Sequence, residues 1–367
     1  MGLAHSPKIV TDGLAFIYDT GSGKSYKGEP TVNVVANPLP TAGWSTANAQ
    51  GSAITRTYLE EDGKPFMRFS AVTNGSDYPR VTNSVFANSA TITGTFSTSL
   101  EVRGTAGAVL RFRIYQNGST KITNSITLTS EWTRYTFDNQ TTGFNLNQPY
   151  FNPATSNATY DIRNIQVEAK GHSTQFVDGT RSATQGLLDL TNNVTINLSN
   201  VSFDSNAQMV LDGTDDTINT GLFSGRNPAT DPFTIEAVVK SDTTSGGRMW
   251  VDATNNGSNQ RLYCAHAATG TGTPMGIQGS GWSSSAPHDT DYHHYVIVMD
   301  GSVARLYNNG EAHSTKNYTS YQIQALNIGG RNTYRWFGDI PIFKLYDRAL
   351  TAEEVAQNYN AFKGRFL

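Results

Sequence analysis

A single cysteine, Cys264, stands in the 367 residues, so no internal disulfide can form and packing alone must hold the fold. Charge is scarce as well. Only 16% of residues are charged and the net charge is −3, which leaves no basic field for nucleic acid or an anionic membrane. No apolar run is long enough to span a bilayer, and the opening MGLAHSPKIV lacks the basic-then-apolar pattern of a secretion signal. The expectation is a soluble chain made in a cytoplasm. Heptads, tandem repeats and a nucleophile elbow are missing too, and Gly246-Gly247 and Gly329-Gly330 read as turns rather than phosphate cradles.

Polar turn-formers and aromatics are plentiful: Ser, Thr, Asn and Gly abound, with 17 Tyr and 17 Phe. That composition suits short strands joined by polar turns and predicts an all-β chain. Ala90–Val102, Val109–Tyr115, Ser125–Leu128, Trp132–Phe137 and Tyr160–Val167 read as strands, the first two with clear period-two alternation. One helix is convincing. Thr351-Ala352-Glu353-Glu354 is a capping box, Val355, Tyr359 and Phe362 follow at helical spacing, and Gly364 is the expected stop.

Few residues suggest catalysis. Glu60-Glu61-Asp62-Gly63 reads as a solvated hairpin tip. Glu236 is mid-strand, where a glycosidase would need a second opposing carboxylate; its same-face neighbours are Thr234 and Val238, so it reads as structural. His293 and His294 are adjacent on a strand and point to opposite faces, so they cannot chelate one ion together. Cys264 reads as a small buried strand residue. No enzyme is expected.

The tail FGDIPIFKLYDRALTAEEVAQNYNAFKGRF closely resembles the closing segment of laminin-G/concanavalin-A-like domains in phage virion proteins. FTIEAVVK at 233–240, YHHYVIV at 292–298 and LNIGG at 326–330 resemble further strands of that family. Its opening pattern is matched by DGL at 12–14, but the continuation expected next is found only at Gly186–Asn192. An insertion explains the gap, because loop-closure entropy grows slowly with loop length. The expected organisation is two β-sandwiches: residues 1–29 and 182–367 form the laminin-G-like domain, and 30–181 an inserted jelly roll resembling carbohydrate-binding modules.

The resemblance implies a virion structural protein: a head decoration or tail-fibre subunit, homo-oligomeric, meeting other virion proteins and host surface glycans. An accessory module of a polysaccharide-active enzyme and a ligand-free capsid cement are the alternatives. Flat aromatics and planar hydrogen-bonding groups hold sugars, which singles out Trp44, Tyr78, Arg111, Arg113 and Tyr115 in the insert and Trp282, Tyr334 and Trp336 in the host domain. Laminin-G-like domains also imply calcium at a loop rim. Asp212, Asp215 and Asp216 cluster in one turn as candidate ligands, with turn capping as the alternative reading.

Overall fold

The computed structural model describes residues 8–48, 52–73, 79–83, 92, 94–116, 119–142, 148–222, 226–227, 230–244, 248–254, 261–266, 276–277, 289–301, 303–317, 323, 325–331 and 334–366. The chain divides into two compact units. One comprises Met1–Glu29, Ala183–Asp204 and Gln208–Leu367; the other comprises Pro30–Ser182 with Ser205–Ala207. The all-β class with one C-terminal helix is as expected from the sequence.

In the discontinuous unit an eight-stranded sheet runs Ser202–Phe203, Met209–Asp212, Phe337–Tyr346, Phe233–Ser241, Tyr292–Asp300, Val303–Asn308 and Glu311–Asn317, with Leu14–Asp19 also paired to Phe337–Tyr346. A six-stranded sheet includes Asn197–Ser199, Thr217–Asn219, Ala325–Ile328 and Arg248–Thr254. The core lies between them: Phe233, Ile235, Ala237 and Val239 from one sheet meet Trp250, Val251, Leu326 and Ile328 from the other. The alternate positions Thr234, Glu236 and Val238 are buried as well, because the helix Ala352–Phe366 covers that outer face. A strand covered on both faces reads as a near-continuous apolar run, which FTIEAVVK does.

The capping box forms as its spacing predicts. The Glu354 amide donates to Thr351 Oγ1 at 3.3 Å, and the Thr351 amide donates to the Glu354 carboxylate at 2.9 Å. The expected stop at Gly364 is wrong. The helix continues to Phe366, because Arg365 pairs with Asp19 through both nitrogens at 2.7 and 2.8 Å and Phe366 packs on the Tyr292 ring. These tertiary contacts offset glycine's helix penalty of about 1 kcal/mol.

Asp189 ties the separated chain segments of this unit together. Its carboxylate accepts the Ile17 amide at 3.1 Å, the Thr191 amide at 3.0 Å and hydroxyl at 2.6 Å, and the amides of Asn193 and Val194.

The other unit is a sandwich of two five-stranded sheets. One runs Thr133–Thr142, Gly94–Gly104, Ala158–Glu168, Lys64–Val72 and Ala53–Glu61. The second runs Trp44–Ala47, Arg80–Asn83, Gln148–Pro153, Val109–Gln116 and Ser119–Thr127. Phe69 stacks on Tyr160 at 5.2 Å in its core, and Phe151 sits between Phe112 and Trp44 at 5.2 and 5.4 Å. Asp62 and Gly63, both at positive φ, make the two-residue hairpin expected of the Glu60–Gly63 run.

Candidate functional site

Alternation along Val109–Gln116 turns Leu110, Phe112 and Ile114 into the core and leaves Arg111 and Arg113 on the opposite, partly exposed face. Register extends that face across the sheet. Arg113 lies opposite Tyr150 on one side and Thr123 on the other; Tyr150 lies opposite Thr82, and Thr82 opposite Ser45. At the usual strand spacing this row of five polar side chains spans roughly 19 Å. Arg111 stands one step along, between Asn152 and Ser125. Tyr150 and Asn152 are almost fully buried in the floor, and the Asn152 amide donates to the Pro79 carbonyl at 3.2 Å. Arg113 Nε takes no hydrogen bond among the described residues. A phenol, two guanidiniums, an amide and four hydroxyls thus converge on one face.

The aromatic candidates divide differently from expectation. Trp44 is 2% exposed and donates its indole N–H to the Asn37 carbonyl at 3.2 Å. Trp336 is fully buried and donates to the Asp339 carbonyl. Neither offers a ring face to a sugar, because inward parity and the packing around each ring place both in the cores. Trp250 is likewise buried, stacked on Tyr295 at 6.2 Å. Tyr334 is 42% exposed, in the discontinuous unit and not on the sheet face described above. Tyr78 and Trp282 lie outside the described residues, as does the side chain of Tyr115, whose backbone stands opposite Gln148. The Cys264 side chain and Gly246-Gly247 also lie outside them.

Tyr150 and Asn152 were not singled out from the sequence. Their signal is parity with the arginines across a register that only pairing defines. Trp132 also went unremarked as a site residue. It is partly exposed on the other sheet, held between Arg163 at 4.0 Å and Arg103 at 4.6 Å, and its indole N–H donates to Glu61 at 2.9 Å. Its flanking cations make it a structural stack.

Asp212, Asp215 and Asp216 do come together, each offering a carboxylate oxygen within 4.8 Å of the others. Asp216 is fully buried and accepts the Asp212 amide. Burial and the neighbouring carboxylates raise its pKa to about 6. Asp212 accepts the Thr214 amide at 2.7 Å and Asp215 the Asn200 amide group at 2.9 Å, which leaves each an exposed oxygen. Turn capping and a carboxylate cluster with no ion pair among the described residues therefore coexist, and the donor set suits a hard cation.

Glu236 is buried beneath the helix. Its Oε1 accepts from Lys344 Nζ at 2.7 Å and His294 Nε2 at 2.9 Å, and its Oε2 from the Asn358 amide at 2.6 Å. Burial alone would raise its pKa, but Lys344 and His294 hold it down to about 2. It offers no acid to solvent. His293 faces the other way, toward Asp289 at 2.8 Å, so the two histidines diverge as the strand alternation requires. Asp252 is buried against Arg331 at 2.7 Å.

Solved structures similar to the chain include domain 4 of a Geobacillus stearothermophilus extracellular arabinanase in complex with arabinotriose, at 15% identity and TM-score 0.36, covering 48% of this chain and 93% of that one. The carbohydrate-binding module of Ruminococcus gnavus IT-sialidase aligns at 13% identity and TM-score 0.30, covering 39% and 95%. A family 11 carbohydrate-binding module from Clostridium thermocellum aligns at 12% identity and TM-score 0.31, covering 39% and 98%. Likeness at this level assigns no function. No curated protein matches the chain. Residues 212–356, all within the discontinuous unit, match the family described as the Concanavalin A-like lectin/glucanases superfamily.

Proposed function

We propose that this protein is a non-catalytic glycan-binding protein whose ligand lies along the Ser45–Thr82–Tyr150–Arg113–Thr123 row. The observation that carries the reading is the register that sets Arg113 against Tyr150 on a polar sheet face. Planar guanidinium donors match pairs of sugar hydroxyls, and a phenol hydroxyl both donates and accepts. The lectin-type family match in the discontinuous unit supports a binding protein. The setting we favour, on the resemblance of the tail segment to phage proteins, is an exposed virion appendage, a head decoration or tail-fibre subunit that is homo-oligomeric. An accessory module of a polysaccharide-active enzyme is the second reading, favoured by that family's inclusion of glucanases. The Asp212–Asp215–Asp216 cluster would hold calcium, which would supply charge compensation to the buried Asp216.

A glycan array probed with the full chain tests the binding, with Arg113→Ala as control. Retention of one glycan class, weakened at least tenfold by the substitution, is expected. An empty array, or binding indifferent to Arg113, would refute it. Immunogold labelling of virions tests the setting: particles without label would remove the appendage reading and leave the accessory module.

A further inference from the structure

Lys344, Glu236 and Asn358 form a closed group beneath the C-terminal helix that glycan binding leaves unused. All three are fully buried. Lysine is almost never buried to that degree unless paired, and here its partner also holds an amide. Strand pairing sets Lys344 directly opposite Glu236, and the helix Ala352–Phe366 brings Asn358 to the same carboxylate. Glu236 Oε1 accepts from Lys344 Nζ at 2.7 Å, and Oε2 accepts from Asn358 Nδ2 at 2.6 Å. The amide is fixed in orientation. Its Oδ1 accepts the Val10 backbone N–H at 2.7 Å, a group that can only donate, while Nδ2 also donates to the Tyr346 hydroxyl at 3.0 Å. The surroundings are rings rather than water: Lys344 Nζ stands 4.2 Å from the Phe362 ring centroid, and the buried His294 ring lies 2.9 Å from Oε1.

We propose that this group closes an intramolecular isopeptide bond between Lys344 Nζ and Asn358 Cγ, with Glu236 relaying the protons. Glu236 Oε1 takes a proton from the Lys344 ammonium, leaving a neutral amine, the nucleophilic form. Burial lowers the Lys344 pKa, which eases this transfer. The amine attacks Asn358 Cγ, and the charge that develops on Oδ1 meets the Val10 N–H at the distance an oxyanion donor requires. Glu236 Oε2 then hands its proton to Nδ2, the carboxylate takes a second proton from Nζ, the Cγ–Nδ2 bond breaks and ammonia leaves. The balance closes with Glu236 protonated and an amide in place of an amine and a carboxamide; no oxidant or cofactor enters. Both proton-transfer contacts lie within general acid–base reach. Linked Lys344 carries no charge, so its ion pair with Glu236 describes the chain before the bond closes. The product staples the helix covalently to the strand Phe337–Tyr346.

Intact-mass spectrometry of the denatured full chain, followed by tryptic mapping, tests this. The expected mass is lower than the sequence requires by one ammonia. Lysine acylation blocks trypsin, so Trp336–Arg348 should appear as one segment branched to Ala349–Lys363. Glu236→Gln keeps a hydrogen-bonding side chain but cannot relay a proton, and should give the unlinked mass with free Leu345–Arg348. The parent chain carries the test if that variant fails to fold. A parent mass equal to that of the sequence would overturn the proposal, as would an ammonia loss with Trp336–Lys344 and Ala349–Lys363 both recovered as linear peptides. A branched peptide persisting in Glu236→Gln would overturn the proton relay.

Discussion

Asn358 on the C-terminal helix donates to Glu236 Oε2 at 2.6 Å while its own carbonyl oxygen accepts the Val10 amide at 2.7 Å. One buried amide thus joins the helix, a central strand and the N-terminal segment. Tyr346, whose hydroxyl donates to the Val10 carbonyl at 3.0 Å, completes the clasp.

Asn358→Ala therefore strands a carboxylate oxygen and a backbone N–H and is expected to destabilise by about 3 kcal/mol. Lys344→Met leaves the Glu236 charge buried without its cation and should cost about 3–5 kcal/mol. Combining it with Glu236→Leu should cost less than the sum of the two single changes. Urea denaturation of the four proteins in the cycle measures this, and strict additivity would contradict the coupling.

Acid stability follows from the same cluster. The Glu236 pKa falls from 4.5 to about 2 on folding. Its contribution is thus complete above about pH 4.5 and disappears as the pH falls toward 2. Glu236→Gln should flatten the stability profile between those values, read as melting temperature against pH.

Asp216 titrates in the opposite sense. Its folded pKa is raised from 3.8 to about 6, so its proton stabilises the fold fully below about pH 3.8, and that stability is lost as the pH rises through 6. Asp216→Asn should raise the melting temperature at pH 7.5 relative to the parent. Millimolar calcium should raise the parent's melting temperature at that pH and leave Asp216→Asn unmoved; no calcium effect on the parent would remove the ion from the proposal.

Trp44→Ala and Trp336→Ala should each cost about 3–5 kcal/mol by opening a core cavity. Neither ring reaches solvent, so glycan affinity of the folded fraction should not change. A selective loss of affinity without loss of stability would contradict their placement in the cores.

Local chemistry was legible in the sequence wherever the partners are near neighbours in the chain. The Thr351–Glu354 box, the Asp62-Gly63 hairpin and the divergence of His293 and His294 all depend on contacts within a few residues or on strand parity. The all-β class followed from alternation and turn composition. Gly364 was misjudged because the contacts that carry the helix past it, Arg365 to Asp19 and Phe366 to Tyr292, come from strands 346 and 74 residues away. Tyr150 joined Arg113 only through strand register, which no single strand encodes. Burial likewise depends on what covers a face, so Trp44 and Trp336 read the same in the sequence whether they lie in a core or on a surface. Composition, parity and capping determined the elements; long-range pairing decided which aromatic rings are buried and which polar side chains converge, because those contacts form only when distant segments meet.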